Sequence, residues 1–351
     1  MPIRILQVFA SLDRGGAETM MMNIYRKIDR EKIQFDFVVN ANDSEYAYEN
    51  EITQLGGRVY RMPRYLLYNY FSYRQAWRRL LLQHPEWQII HGHHTAAASV
   101  YLGVARAMSR KTIAHSHVAG RDNTLKSYAK MAVRYPLRFK TDYLFACSFK
   151  AAWWMFGKHS RRAHVIKNAI DARRFAHNEK TACDKFVVGH VGRFELQKNH
   201  AFLVDIFAEV KRLRPEAVLL LVGDGKLRCE IESKVRTDGV YFLGVREDIP
   251  ELLRSMDVLV FPSLYEGLPV TVIEAQAAGL PCVISDAITD EVIITDLVKQ
   301  FPLNASAHKW AEAILDFADT VSRRDTYDEI VAAGYDIGGQ AEVLSKFYLN
   351  L

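Results

Sequence analysis

The 351-residue sequence lacks several features that would assign it to a protein class at once. It has four cysteines, and their spacing matches neither a disulfide framework nor a set of metal ligands (Cys147, Cys183, Cys229 and Cys282). No apolar run approaches the ~20 residues of a membrane helix, and the first residues lack the cationic start and cleavage site of a signal peptide. We therefore expect free thiols and a cytoplasmic location.

The glycine fingerprint of dinucleotide-binding folds is also missing. Residues 3–10 (IRILQVFA) read as a strand that leads through Gly15 and Gly16 into a helix, but the GxGxxG spacing is absent. Asn40 ends the next strand, where an acidic residue would bind ribose. A dehydrogenase is therefore disfavoured. The two glycines either let a phosphate or sugar approach the helix start or form only a tight turn, and the sequence leaves both open.

Acidic residues are scarce in the first half of the chain. Residues 1–170 carry 26 Lys and Arg against 12 Asp and Glu, a net charge of +14, whereas residues 171–351 carry 20 against 29, a net charge of −9. Residues 58–79 interleave arginine with tyrosine, tryptophan and leucine, and residues 121–140 hold a further basic run. This pattern suits an anionic membrane surface, although a solvated helix face with core aromatics would read the same way. No nucleic-acid-binding motif accompanies the charge.

Short apolar strands alternate with helices along nearly the whole chain, which predicts parallel sheets covered on both faces. The predicted strands are residues 3–10, 35–39, 58–61, 88–91, 111–117, 143–147, 163–167, 186–191, 217–222, 240–243, 258–261 and one that begins at 283. The periodicity fades between Asn168 and Asp184. We predict an amino-terminal domain over residues 1–170 and a linker with a second domain over residues 171–333, with a carboxyl-terminal helix over 334–351 packing back on the first.

Histidines cluster where two strands of the first domain end. His91, His93 and His94 follow one predicted strand, while His115 and His117 share one face of another. A metal site, a polar ligand-binding cleft and simple packing are all compatible with such a cluster, and no nearby carboxylate or cysteine completes a metal set. We favour the polar cleft.

Residues 258–284 predict a strand, a loop, a helix over Val270–Ala278 and a further strand, with Pro269 at the helix start and Gly279 at its end. Glu266 lies in the loop and Glu274 on the helix. A helix start suits a phosphate, and carboxylates accept hydrogen bonds from sugar hydroxyls. These residues indicate a nucleotide-sugar site or, alternatively, two solvated glutamates beside an ordinary helix.

Two cations, Arg193 and Lys198, follow the first predicted strand of the second domain. Both come from one loop just past a strand end, where ligands of parallel sheets bind. We predict that they converge on one anionic group. A solvated surface pair is the alternative.

The order of these motifs resembles family-four retaining glycosyltransferases of GT-B fold. The resemblance rests on Gly192-Arg193, Lys198-Asn199, Gly223-Asp224-Gly225, Phe242-Leu243-Gly244, Pro262-Ser263 and the run from Glu266 to Glu274. Residues 14–18 (RGGAE) and 115–117 (HSH) are similar to the members that build capsular and extracellular polysaccharides. The resemblance implies two Rossmann-like parallel-sheet domains that face each other across a cleft.

Residue roles follow from the resemblance. It implies that Arg193 and Lys198 bind the donor diphosphate, that Glu274 binds the ribose and that Glu266 binds the transferring sugar. It places further donor contacts at Gly15, Gly16, Val245, Gly267 and Leu268, with Thr271 beside them, and it places His117 next to the sugar. The family often has threonine where this chain has His115, so either histidine could face the ligand.

The implied reaction is transfer of a hexose-type sugar, with retention, from a UDP-sugar to a saccharide acceptor, in synthesis of a bacterial surface polysaccharide. The basic first domain suggests a lipid-linked acceptor and a peripheral position at the inner face of the plasma membrane. No Asp-x-Asp stands at a strand end, so neither a metal nor another cofactor is expected. A sugar-nucleotide epimerase or hydrolase of the same build is the alternative, and a non-catalytic binding protein is less consistent with Arg193, Lys198, Glu266 and Glu274.

Overall fold

The computed structural model describes residues 2–13, 15–41, 45–93, 97–117, 136–176, 184–266 and 268–351. They form two compact units. Unit 1 comprises Met1–Ala169 with Ile337–Leu351, and unit 2 comprises Ile170–Asp336. None of the helices within these ranges combines the length and the apolar character needed to cross a bilayer.

Unit 1 is built on a seven-stranded parallel sheet with the strand order β3-β2-β1-β4-β5-β6-β7. The strands are β1 Ile3–Val8, β2 Ile33–Asn40, β3 Val59–Met62, β4 Trp87–Gly92, β5 Lys111–Ser116, β6 Tyr143–Ala146 and β7 Ala163–Val165. Its described α-helices are Gly16–Lys27, Glu49–Gln54, Tyr70–Gln83, Ala98–Ala107, Leu137–Lys140, Phe149–Phe156 and Ile337–Leu349. The strand order reverses between β1 and β4, so the carboxyl ends of these two strands mark the point where such sheets bind ligands.

Apolar residues cover both faces of this sheet because adjacent side chains of a strand point to opposite sides. Ile5 belongs to the core on the side of Gly16–Lys27 and the last helix, and Leu6 belongs to the core beneath Tyr70–Gln83 and Ala98–Ala107. The last helix places Leu344 and Tyr348 in the first core, where both are fully buried. The end of the chain is therefore part of unit 1.

Unit 2 is a six-stranded parallel sheet with the order β10-β9-β8-β11-β12-β13. The strands are β8 Val187–Val191, β9 Val218–Val222, β10 Val240–Gly244, β11 Val258–Phe261, β12 Cys282–Ser285 and β13 Val298–Phe301. Its described α-helices are Ala172–Phe175, His200–Leu213, Arg228–Lys234, Ile249–Ser255, Val270–Ala277, Ala307–Thr320 and Tyr327–Ala332. The switch in strand order lies between β8 and β11.

The predicted fold class, two Rossmann-like domains with parallel sheets, is confirmed. Strand β13 was not predicted from the sequence, because its four residues (VKQF) include two polar side chains and show no apolar run. The helix predicted after Pro269 is present and ends at Ala277, and Gly279 adopts a left-handed conformation (φ 67°) just beyond it. That conformation lets the last helical carbonyls find partners, as expected for a glycine stop.

Candidate active site

Glycine brings the loops after β8 and β9 into direct contact. Gly223 has φ 131°, and a Cβ atom there would lie 2.2 Å from the carbonyl oxygen of Gly192. The backbone N–H of Phe194 donates to the carbonyl oxygen of Asp224 at 3.0 Å, which ties the two loops together. Any larger side chain at 223 would be strained in conformation and would force the loops apart. The Gly192 and Gly223 motifs thus shape the carboxyl edge of this sheet.

Lys198 is positioned by a second pair of loops. It ends a single 3₁₀ turn, Leu196–Lys198, and the next residue, Asn199, takes a left-handed conformation at φ 56°. Asn199 donates from Nδ2 to the carbonyl oxygen of Pro262 (3.1 Å), and the N–H of Leu264 donates to the carbonyl oxygen of Gln197 (2.8 Å). Asparagine tolerates this conformation better than most residues. The loop after β8 is therefore fixed against the loop after β11.

This arrangement places Lys198 against Glu266. Nζ of Lys198 lies 2.8 Å from Oε1 of Glu266, and the two side chains are only 14% and 8% exposed. The ammonium group also stands 4.4 Å from the centre of the Phe261 ring. Oε1 is close to the cation, yet it makes no hydrogen bond of acceptable geometry in the described structure. Glu266 thus has a partner for its charge and free acceptor capacity for a ligand hydroxyl.

Arg193 does not share this enclosed position. Its side chain is 76% exposed, and the carboxylate of Glu195 lies 3.8 Å away. An exposed ion pair of this kind contributes little to stability. The predicted convergence of two cations is therefore not seen among the described side chains, and Arg193 would have to turn towards a ligand to bind it.

Glu274 lies in the second turn of the helix Val270–Ala277, which follows Glu266 in the chain. Leu268 and Thr271, both half-buried, flank the start of this helix, and Gly267 lies outside the described residues. Pro269 provides no side-chain cap, so the first N–H groups of the helix face outward without an intrahelical partner. Unpaired N–H groups at a helix start attract an anion.

Burial raises the pKa of Glu274 to about 7, and Arg174 offsets only part of this shift. No hydrogen bond or ion pair holds its carboxylate among the described residues, and the guanidinium of Arg174 instead donates to the carbonyl oxygen of Glu247 at 2.9 Å. A half-buried carboxylate without donors is unfavourable for the protein alone. A ligand that offers two hydroxyl groups would relieve this cost.

We expect Glu274→Gln to stabilise the ligand-free protein at pH 8 but not at pH 4. The folded protein binds the Glu274 proton up to about pH 7, whereas an unfolded glutamate releases it near pH 4.3. Stability therefore falls as the pH rises through this window, and glutamine removes the loss. Thermal melts at pH 8 should show an increase of at least about 2 °C. The control Glu251→Gln, at an exposed helix position, should shift neither melt; an unchanged or lower melting temperature for Glu274→Gln at pH 8 would contradict the buried-carboxylate account.

Val245 follows β10, the edge strand of the same sheet, and its side chain is 67% exposed. Gly244 has φ 69° and the N–H of Gly223 donates to its carbonyl oxygen at 2.8 Å. The backbone near Val245 is thus placed next to the Gly223 loop. A planar base could contact this backbone edge without displacing a core residue.

Two buried histidines beside Lys198 were not singled out from the sequence. His190 donates from Nδ1 to the carbonyl oxygen of Val260 (2.9 Å), and His200 stacks on Phe194 with ring centres 4.1 Å apart. Burial, reinforced by Lys198, lowers the pKa of His200 to about 4. Both rings are therefore neutral and pack beneath the site. The sequence signal that could have identified His190 is its position as a histidine inside the apolar strand FVVGHV.

In unit 1, Gly15 and Gly16 begin the helix Gly16–Lys27 just past β1. A Cβ atom on Gly15 would meet the Glu18 carboxylate at 2.3 Å, whereas nothing lies within 4 Å of the corresponding position on Gly16. Gly16 therefore has open space in front of it. The Glu18 carboxylate occupies the helix start near Gly15, where an incoming phosphate would have to displace it.

Four histidines of unit 1 come together at the carboxyl ends of β4 and β5. His91 Nε2 and His115 Nδ1 lie 3.1 Å apart, and His93 Nδ1 and His117 Nε2 lie 2.8 Å apart. Burial lowers the pKa of each of these histidines, in His117 to about 3. The cluster is therefore neutral at physiological pH. His94 lies outside the described residues.

Of the two histidines left open by the sequence, His117 is half-buried, whereas His115 is only 1% exposed. The ring of His117 is therefore the less enclosed of the two, although its Nδ1 is buried. Ring nitrogens of His91, His93 and His115 lie within 4.8 Å of one another, a spacing that an ion could use. In the structure both nitrogens of His91, Nε2 of His93 and Nδ1 of His115 instead form hydrogen bonds with other side chains.

Family models match both halves of the chain. A model described as glycosyl transferases group 1 matches residues 185–320, and a model described as glycosyltransferase family 4 matches residues 14–174. The matched ranges contain the Lys198–Glu266 site in unit 2 and the histidine cluster in unit 1.

Relatives and solved structures extend the likeness over the full length. EpsF, a predicted glycosyltransferase of Bacillus subtilis (strain 168), is 36% identical over 98% of this chain and 96% of its own. The capsular polysaccharide biosynthesis glycosyltransferase CapH of Staphylococcus aureus is 23% identical over 99% of both chains. The crystal structure of Anabaena HepE in complex with UDP covers 100% of both chains with a TM-score of 0.79 at 19% identity, a likeness in fold.

Proposed function

Because the chain belongs to glycosyltransferase family 4, we propose that it moves a hexose-type sugar, with retention, from a UDP-sugar to a saccharide acceptor. Glycosyl transfer in polysaccharide biosynthesis is supported by the full-length relatives. The UDP moiety is proposed because HepE, a protein of the same fold, was crystallised with UDP.

One observation carries the proposal. Lys198 and Glu266 form an enclosed ion pair at the carboxyl edge of the unit 2 sheet. The next helix begins beside them and bears Glu274, whose carboxylate has no partner among the described residues. The cation and the helix start suit the diphosphate, and the two carboxylates suit the hydroxyl groups of the sugar and the ribose. These are the parts that a nucleotide sugar requires.

The proposed chemistry uses charge rather than a metal. As the bond between the anomeric carbon and the phosphate oxygen breaks, negative charge grows on the leaving diphosphate, and Lys198 with Arg193 stabilises it. A double displacement would need a carboxylate nucleophile close to the anomeric carbon, whereas we assign Glu266, which is paired with Lys198, to a hydroxyl group of the sugar. We propose same-face attack, in which the acceptor oxygen bonds to the anomeric carbon and its proton passes to the phosphate.

A nucleotide-sugar screen tests this function. A donor present at 100 times its Kd stabilises the folded protein by about 2.7 kcal/mol, which a thermal-shift assay detects. The donor that stabilises the protein is then incubated with saccharide acceptors and the product is examined by NMR. A product whose anomeric configuration matches that of the donor supports the proposal. Free sugar or an epimerised donor as the only product would identify a hydrolase or an epimerase instead.

Replacement of Glu274 and replacement of Glu266 are expected to have different effects on the affinities for UDP and the UDP-sugar. Glu274→Ala should weaken free UDP and the intact UDP-sugar alike, by about 10-fold or more, because a hydrogen bond to a carboxylate contributes about 1.5–3 kcal/mol. Glu266→Ala should weaken the UDP-sugar much more than free UDP. Calorimetric titrations measure both ligands, with Glu251→Ala as the matched control. The opposite ranking would mean that the two roles are exchanged.

The exposed surface around the helix Tyr70–Gln83 supports a membrane-linked acceptor. Tyr73 and Trp77 are core residues, as the alternative interpretation of this segment required. Leu67, Tyr68 and Phe71, in contrast, are 70%, 86% and 81% exposed. These apolar side chains stand among exposed arginines for which the described structure gives no carboxylate partner (Arg64, Arg74, Arg78 and Arg79).

Two cavities open beside this helix. One of about 380 Å³ is lined by Arg74, Arg106 and Lys140, and one of about 370 Å³ is lined by Phe71, Arg74 and Arg78. Cationic walls with apolar neighbours suit a phosphate that is carried on a lipid. We propose that this surface rests on an anionic membrane and that the acceptor is lipid-linked. Residues 118–135, which include most of the second basic run, lie outside the described residues.

Co-sedimentation with vesicles should show binding to anionic vesicles at low salt and loss of binding at high salt. Each arginine near an anionic surface contributes about 1 kcal/mol, so Arg74→Glu with Arg78→Glu should release the protein. The matched control variant, Lys226→Glu with Arg236→Glu, reverses the charge of two exposed cations of unit 2. This variant should still bind anionic vesicles. Equal binding to anionic and neutral vesicles, or no binding to either, would contradict the proposal that this surface binds an anionic membrane.

A further inference from the structure

Two hydrogen-bonded chains of side chains lie beneath the carboxyl edge of the unit 1 sheet, and both begin at Gln7. This residue of β1 is fully buried. Its Nε2 donates to the hydroxyl of Tyr348 at 3.2 Å, and its Oε1 lies 2.9 Å from Nε2 of His93. An amide nitrogen only donates and an amide oxygen only accepts, so Gln7 sets the direction of both chains.

The first chain leads through Tyr348 to His115. The Tyr348 oxygen accepts from Gln7, so its own proton is directed at Nδ1 of His91, 2.5 Å away. A neutral imidazole has one donor and one acceptor. His91 therefore carries its proton on Nε2 and donates it to Nδ1 of His115 at 3.1 Å. His115 in turn holds its proton on Nε2.

The second chain leads through His93 to His117. His93 must donate from Nε2 to the oxygen of Gln7, which leaves its Nδ1 as an acceptor. Nε2 of His117 lies 2.8 Å from that nitrogen and donates to it. The proton of His117 is thereby committed to His93, and its Nδ1 is left as a bare acceptor.

The two chains end differently. His115 Nε2 and His117 Nδ1 both lack a hydrogen-bond partner within the described ranges. Both nitrogens are buried, although His117 as a whole is half-buried and His115 is only 1% exposed. An unpaired buried nitrogen is costly, and a ligand hydroxyl that packs against the half-buried ring of His117 would satisfy its Nδ1. The edge of unit 1 therefore holds one unsatisfied acceptor on a partly exposed side chain.

We propose that Gln7 is a positioning residue that acts through His93 to keep Nδ1 of His117 unprotonated, so that His117 accepts a hydrogen bond from a hydroxyl group of the saccharide substrate. The substrate class rests on the proposed function, whereas the protonation pattern rests only on the contacts of unit 1. A rotation of the Gln7 amide by 180° would reverse both chains and turn His117 into a donor. The direction that the structure gives is therefore testable.

Nitrogen-15 NMR of the histidine rings in the ligand-free protein tests the pattern without any activity assay. All four rings should be neutral at pH 7 with the proton on Nε2, and signals can be assigned from single-histidine variants. A proton on Nδ1 of His117 would overturn the proposal. Stoichiometric zinc in the purified protein, with metal-shifted ring signals from His91, His93 and His115, would overturn it as well.

Two variants separate positioning from structural support. Gln7→Met removes the start of both chains, so His117 should show a mixture of both protonated forms and kcat should fall about 10-fold with unchanged UDP affinity. Tyr348→Phe interrupts only the chain to His115, so the His117 signal and kcat should stay within twofold of wild type. Equal losses in both variants, or an unchanged His117 signal in Gln7→Met, would contradict the proposal. If wild type shows no transfer, the proposed function fails while the NMR result still decides the protonation pattern.

Discussion

Lys198→Ala is expected to reduce turnover about 100-fold or more, since it removes a preorganised partner of the charge that grows on the leaving diphosphate. The lysine is held in place before any ligand binds. Its ammonium group lies 2.8 Å from Glu266 and 4.4 Å from the centre of the Phe261 ring, and its side chain is 14% exposed. Such a cation needs little rearrangement during the reaction.

Arg193→Ala is expected to reduce turnover by a similar factor, by a different route. Arg193 is exposed in the ligand-free structure, so its contribution depends on turning towards the diphosphate when the donor binds. Steady-state kinetics of both variants and of the double alanine variant measure the effect, and Lys226→Ala, an exposed lysine of the same unit, serves as the control. Wild-type turnover in the double variant would remove both residues from the site.

His117→Ala is expected to lower transfer about 100-fold while leaving UDP affinity unchanged. The magnitude is that of losing one oriented hydrogen bond to the reacting group. Because burial lowers the pKa of His117 to about 3, the ring stays neutral above pH 5. The loss should therefore be the same at every pH from 5 to 8, and a proton-carrying role would instead give a loss that varies with pH.

Comparison with His115→Ala decides which histidine acts. His115 is 1% exposed and ends its chain without access to solvent, so its replacement should affect stability more than turnover. His308→Ala, at a half-buried histidine of unit 2 that pairs with Glu209, serves as the control and should not change turnover. A larger loss of turnover in His115→Ala than in His117→Ala, measured on folded protein, would show that His115 and not His117 contacts the sugar.

Most strands could be predicted because they are short apolar runs, and β4, β8, β9 and β11 also end at a glycine or a proline. Pro269 and Gly279 bracketed one helix correctly, since their effects on backbone conformation are local. The missed strand β13 shows the limit of this signal. Its four residues are all partly exposed. A strand that is not fully buried needs few apolar side chains, so the sequence shows little apolar pattern there.

The contacts of the site could not be predicted in the same way, because they join distant positions. Lys198 and Glu266 are 68 residues apart, and Tyr348 contacts His91 across 257 residues. The sequence indicated each side chain by its place after a strand, but not its partner. It also could not show that Arg193 is exposed or that burial raises the pKa of Glu274 to about 7, since both depend on packing.

Calorimetric titration of UDP in the presence of EDTA measures whether Lys198 and its neighbours bind a nucleotide diphosphate without a metal. We predict one site in the wild-type protein, with the same affinity in EDTA as in magnesium, and an affinity at least about 10-fold weaker in Lys198→Ala, since a charge-assisted hydrogen bond is lost. Binding that requires magnesium, or that Lys198→Ala leaves unchanged, would contradict the account.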